Sequence, residues 1–110
     1  MAQTVSQSSS ANPATAGRAE PLSDLLPLCA EALEPAERLV DAARAAMTGL
    51  VGAEAGIDPA KLEEHQFAAH GYAWLATYGA ALREMLAWAR RLEADGKLGE
   101  LEILMLQAAF

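Results

Sequence analysis

Residues 65–82 read HQFAAHGYAWLATYGAAL, eighteen positions without a formal charge, yet carrying two histidines, a glutamine and four aromatics. Histidine is the commonest metal ligand and a ready proton carrier. Two histidines on one helix share a metal when they lie three or four residues apart. His65 and His70 lie five apart, about 140° around a helix, and project in different directions. The Glu-x-x-His register of di-iron bundles fails too, because the residues three positions before them are Leu62 and Phe67. Both histidines therefore read as structural or surface groups, with His70 placed to hydrogen-bond a neighbouring helix. Cys29 lies on an apolar helical row without a base placed near it by sequence, so it reads as a buried, inert thiol. Glu63–Glu64 and the pair Glu100, Glu102 read as solvated helix faces. The chain shows neither a glycine-rich phosphate loop nor a Ser/His/Asp spacing. The catalytic, cofactor-binding and metal-ligand sets expected from the residues alone are all empty.

The elements that would position any site are helices. The chain has 110 residues, 53% of them hydrophobic but only 5% aromatic. Alanine makes the difference, with 26 positions. It favours helix and lets helices approach closely. The length suits one small domain. A net charge of −7 argues against nucleic acid, whose binders present a basic face. The single cysteine excludes an internal disulfide and suits a reducing cytoplasm. The amino terminus lacks the charged and apolar regions of a secretory signal.

Residues 1–21 carry no apolar period and read as a disordered leader. Ser23 is a plausible N-cap for a helix over about 24–50. Its row Leu26, Cys29, Leu33, Ala36, Val40, Ala43, Met47, Leu50 steps three and four throughout. Pro35 removes an amide from that helix and implies a kink at 34–35, or failing that two helices. A loop, GAEAGI, follows. Asp58-Pro59 marks a strong start and Gly96 a good stop for a second helix over 59–95. Its principal row is Phe67, Gly71, Trp74, Tyr78, Ala81, Met85, Trp88, Leu92. A second row holds Tyr72, Leu75, Leu82 and Leu86, and a third is alanine. Apolar surface all round implies burial on several sides, with the tryptophans dry and with Gly71 and Gly79 at close helix crossings. A third helix runs over 99–110 and ends on apolar sequence, as a segment would that continues into something larger. Ile103, Leu106 and Phe110 are expected to be exposed in the isolated chain. Residues 65–82 hold too many polar groups and alanines for a membrane span. The fold class is all-α, an antiparallel three-helix bundle segment with a long central helix.

The stretches AAHGYAWLATY, LREMLAWARRLE and LGELEILMLQAAF resemble the helical amino-terminal extension of certain bacterial acyl-CoA dehydrogenase family proteins. They are most like the methylsuccinyl-CoA dehydrogenase branch, which serves the ethylmalonyl-CoA route of acetate assimilation. The similarity runs from about Leu22 to Phe110. The resemblance implies a parent flavoprotein, oligomeric and FAD-dependent. A glutamate base there removes the α-proton of an acyl-CoA while hydride passes to the flavin, and electrons leave to an electron-transfer flavoprotein. None of those residues maps onto these 110 positions. On this reading the chain is an accessory helical domain, non-catalytic by itself, that packs on or shields the catalytic body. The rival reading is a stand-alone helical interaction or dimerisation module.

Overall fold

A computed structural model describes residues 20–110; the leader expected over 1–21 lies almost wholly outside them. The elements run α1 (Leu25–Val51), β1 (Gly52–Ala53), β2 (Gly56–Ile57), α2 (Pro59–Glu64), α3 (Gln66–Ala94) and α4 (Glu100–Ala109). The all-α class holds, with a long central helix. The GAEAGI loop closes as a two-stranded antiparallel ladder, pairing Gly52 with Ile57 and Ala53 with Gly56.

α1 passes through Pro35 as a single helix, so the two-helix alternative is not taken. Its cap differs from expectation. Asp24, not Ser23, is the N-cap residue, and it makes no side-chain cap hydrogen bond. At φ −109° and ψ 33° its backbone is outside the extended conformation from which a capping oxygen reaches the first free amides. Leu25, Cys29, Leu33, Val40, Met47 and Val51 form the buried row of α1. Cys29, Leu33, Val40 and Met47 belong to the expected seam. At its ends Leu25 and Val51 are buried in place of Leu26 and Leu50, because a seven-residue repeat drifts against a helix of 3.6 residues per turn.

The Asp58-Pro59 start forms as its residue types dictate. Asp58 Oδ1 accepts from the Ala60 amide at 2.9 Å and the Lys61 amide at 3.3 Å, with Pro59 in the first turn. The single helix expected over 59–95 is nevertheless two, divided at His65 (φ −105°, ψ 27°). α2 buries none of its residues, so no core contact holds it in line with α3. It lies against the end of α1 instead, where Lys61 Nζ donates to the Gly52 carbonyl at 3.2 Å. Gly96 ends α3 as expected, at φ +67°. The Gly96 amide donates to the Glu93 carbonyl and the Lys97 amide to the Leu92 carbonyl, the paired bonds of a Schellman motif. At the start of α4 the Glu102 carboxylate accepts from the Gly99 amide at 3.1 Å. This is half of a capping box, since glycine has no side chain to return the bond.

The largest departure concerns α3. Among its residues only Gly79, Leu86 and Ala89 are buried. Ala69, Tyr72, Leu75, Ala76 and Leu82 are half-buried beside them, so the second row and part of the alanine row face α1. The amino-terminal half of the row expected to be the core points outward: Phe67 is 96% exposed, Trp74 51% and Tyr78 60%, while Met85, Trp88 and Leu92 of the same row are half-buried. The reason is the number of neighbours. α3 has one long partner, α1, and one short one, α4, so it can bury only part of its circumference. The stripe with small residues gives the closer approach and the denser contact. At Gly79 an added Cβ would stand 2.9 Å from Val40 Cγ2, whereas at Gly71 it would meet nothing within 4 Å. The close-crossing expectation therefore holds at Gly79 and fails at Gly71.

The principal core lies where three helices meet: Leu25, Cys29 and Leu33 of α1, Leu86 and Ala89 of α3, and Leu106 of α4. Leu106 is 0% exposed, which corrects its expected exposure. Ile103 is half-buried and Phe110 is exposed as expected; Leu101 and Met105 are exposed too, at 66% and 48%. Between α1 and α3 the Arg83 Nε to Glu37 Oε1 contact is 2.5 Å long. Both side chains are partly solvated, so the pair adds little to stability.

Gly79→Ala should lower the melting temperature. Val40 is β-branched and stiff in a helix, and overpacking costs about 1–3 kcal/mol, more than the ~1 kcal/mol gained in helix propensity. Gly71→Ala should raise the melting temperature. Thermal unfolding of the two variants followed by circular dichroism distinguishes them, and equal shifts in one direction would contradict the assigned α1–α3 face.

Candidate interaction face

The titratable groups do not converge. His65 sits at the α2–α3 break and His70 on the outer side of α3. Among the described residues no three His, Cys, Asp or Glu side chains are grouped to hold a metal ion. Likewise, no helix among them is long and apolar enough to cross a membrane. Cys29 is 1% exposed in the three-helix core, and burial pushes its thiol above the usual range. A thiol held protonated is a poor nucleophile.

The outer side of α3 holds an ordered aromatic row. Trp74 Nε1 donates to His70 Nε2 at 2.8 Å, and the two rings meet edge-on with centroids 6.1 Å apart. Tyr78 stacks on Trp74 at 5.6 Å and 29°. These residues are one helical turn apart, so α3 alone sets the geometry. The indole donor is satisfied inside the row and its rotamer is held from both sides. Phe67 continues the row toward the amino end of α3. Toward the other end, Tyr78, Ala81, Leu82 and Met85 line an open notch with Ala109 of α4, about 420 Å³ in volume. Met85 and Trp88 beyond it are half-buried next to α4.

A smaller cleft of about 220 Å³ lies at the opposite end of the hairpin, among Met47, Val51, Ile57, Leu62, Ala69 and Tyr72. At its rim Arg44 Nε donates to the Tyr72 hydroxyl at 3.1 Å and Arg44 Nη1 pairs with Asp41 at 3.0 Å. The hydroxyl contact, reinforced by Asp41, raises the guanidinium above its ordinary value. Its charge is occupied by these two partners. This cleft closes the α1–α3 turn.

The sequence reading named Phe67, Trp74 and Tyr78 but assigned them to the core. It placed the His70 hydrogen bond on a neighbouring helix, whereas the partner is Trp74 of α3 itself, for which the signal was present as a spacing of four. What the fold defines is a helical hairpin whose distinctive chemistry is an apolar surface. That class agrees with the resemblance to the acyl-CoA dehydrogenases, which holds on comparison. Over 89 residues the chain is 49% identical to (2S)-methylsuccinyl-CoA dehydrogenase of Cereibacter sphaeroides. The matched stretch is 81% of this chain and 16% of that protein. No family model matches.

Cys29 should resist alkylation in the folded chain and react at the free-thiol rate after unfolding; mass spectrometry with and without denaturant measures both. Because its folded-state pKa is raised, the neutral thiol's contribution to stability is complete below the unfolded thiol's pKa. It is lost as pH rises through and beyond that value.

Proposed function

We propose that the chain is the amino-terminal accessory helical domain of an FAD-dependent acyl-CoA dehydrogenase of the methylsuccinyl-CoA type. It carries no catalysis of its own and packs on the catalytic body, where it restricts the substrate entrance, supports assembly or adds contact area. The observation that carries this reading is the 49% identity over 89 residues to a dehydrogenase. A helical segment that similar, with no grouped metal-ligating side chains among its described residues, suits a part that supports a catalytic unit. The exposed apolar residues of α4, Leu101 and Met105, offer the contact surface such packing needs. FAD, the homo-oligomeric state, the electron-transfer flavoprotein partner and a cytoplasmic location belong to the parent enzyme on this reading. The stand-alone interaction module is the second reading, favoured by the ordered aromatic row on α3.

The test uses the Cereibacter sphaeroides dehydrogenase with its matching segment deleted, and with that segment replaced by the matching residues of this chain. The deletion should lose activity or thermal stability and the replacement should restore it. The chain alone, incubated with FAD and desalted, should keep no flavin absorbance. A deletion enzyme with unchanged melting temperature, flavin content, assembly and turnover would refute the accessory role.

A further inference from the structure

We propose that a helix of the catalytic body docks in the groove between α3 and α4, against Met85 and Trp88 on one wall and Leu101 and Met105 on the other. The inference rests on the accessory-domain reading and adds to it the face that is used and the shape of what covers it.

α4 is apolar on every side. Its sequence ELEILMLQAA spreads Leu101, Ile103, Leu104, Met105 and Leu106 around the whole circumference. Among the described residues it meets only α3 and the amino end of α1. A helix apolar all round is one with neighbours on several sides. Leu106 faces the core at 0% exposed, whereas Leu101 at 66% and Met105 at 48% face away from it. With Ala108 they step four and three, the spacing by which one helix meets another.

The facing wall belongs to α3. Leu82, Met85, Trp88 and Leu92 step three, three and four and are half-buried, and Met85 and Trp88 pack on the edge of the core. Between the walls lies an open hollow of about 440 Å³, lined by Glu84, Met85, Trp88, Arg91 and Met105. Met85 also lines the notch that holds Leu82 and Ala109. The depression therefore follows α3 from Leu82 to Arg91, about 14 Å or two and a half turns. A groove with an apolar floor and two helical walls fits a third helix laid along it, whose side chains at i, i+3 or i+4, and i+7 enter between the walls.

The rims define the partner's charges. Glu84 and Arg91 are seven residues apart and so lie on one side of α3, at the edge of the hollow. Neither joins an ion pair among the described residues. A helix with a basic residue opposite Glu84 and an acidic one two turns further on would pair with both. The matched residues make up 16% of the Cereibacter sphaeroides dehydrogenase. Most of that protein thus lies outside the matched stretch, and a partner in the same chain meets this groove at the high effective concentration of a tether.

Hydroxyl-radical footprinting reads methionine and tryptophan directly. In the isolated chain Met85, Trp88 and Met105 should be oxidised at rates that do not change on dilution. In the Cereibacter sphaeroides enzyme carrying this chain in place of its matching segment, all three should be protected. There Met105→Glu should restore labelling of Met85 and Trp88 and lower the melting temperature, while the isolated chain's melting temperature stays unchanged. The side chains of the unmodified enzyme aligned with positions 85, 88, 101 and 105 should likewise be shielded, which needs no graft to fold. Protection already present in the isolated chain and growing with its concentration would give the groove to a second copy and overturn the proposal. Full labelling of the groove in both whole enzymes, where deletion of the segment still costs stability, would overturn it and leave the accessory role standing; a deletion without effect would remove both.

Discussion

The contact between Gly79 and Val40 constrains everything else in the molecule. It brings α1 and α3 close enough that the stripe around it, Tyr72, Leu75, Leu82 and Leu86, becomes the inner face. Choosing that stripe rotates α3 so that Phe67, Trp74 and Tyr78 turn away. It also places Leu86 and Ala89 where α1 presents Cys29 and Leu33, leaving a hollow that α4 fills with Leu106. One missing side chain therefore decides both where the core is and which apolar residues are left over. Had the aromatic row faced α1, its ring volumes would have held the helices apart, and Val40 would have lost the tight seat it has now.

Local signals in the sequence were read correctly where the physics is local. Asp58 caps because a short acceptor one turn ahead of free amides needs no distant partner, and Gly96 stops α3 because a positive φ suits glycine. Burial of Cys29 followed from its place on a row with Leu33 and Val40. The choice of face on α3 was not legible, because three apolar rows surround that helix. Periodicity ranks them by hydrophobicity, whereas the fold ranks them by how closely a neighbour can approach. Counting neighbours requires knowing that α4 is ten residues long and covers one end only. The same blindness explains the two glycines: Gly71 and Gly79 look alike in sequence, and only the crossing point separates them. The break at His65 has no Pro or Gly to announce it. It arises because α2 leans on the end of α1.

The candidate site was legible in composition and not in role. Aromatics at spacings of four and three, with small residues between, describe a helix made to meet another helix. Composition does not say whether the other helix is in the same chain. The structure answers for α1, which meets other rows, and for α4, which meets only the Met85–Trp88 end of this one; it leaves the Phe67–Tyr78 end ordered by its own His70 and Tyr78. Order without a neighbour is costly, since an exposed indole free in water loses nothing by changing rotamer. A row fixed in advance has its consequence at the moment of contact, when less freedom remains to be lost.

The chain therefore has two apolar surfaces with different characters. That of α4, Leu101 and Met105, is flexible, unbranched in part, and adjacent to the three-helix core; surfaces of this kind adapt to whatever body is placed against them. That of α3 is aromatic and ordered by its own His70–Trp74 bond and Trp74–Tyr78 stack. The two surfaces share no residue, so a contact made on one leaves the other unchanged.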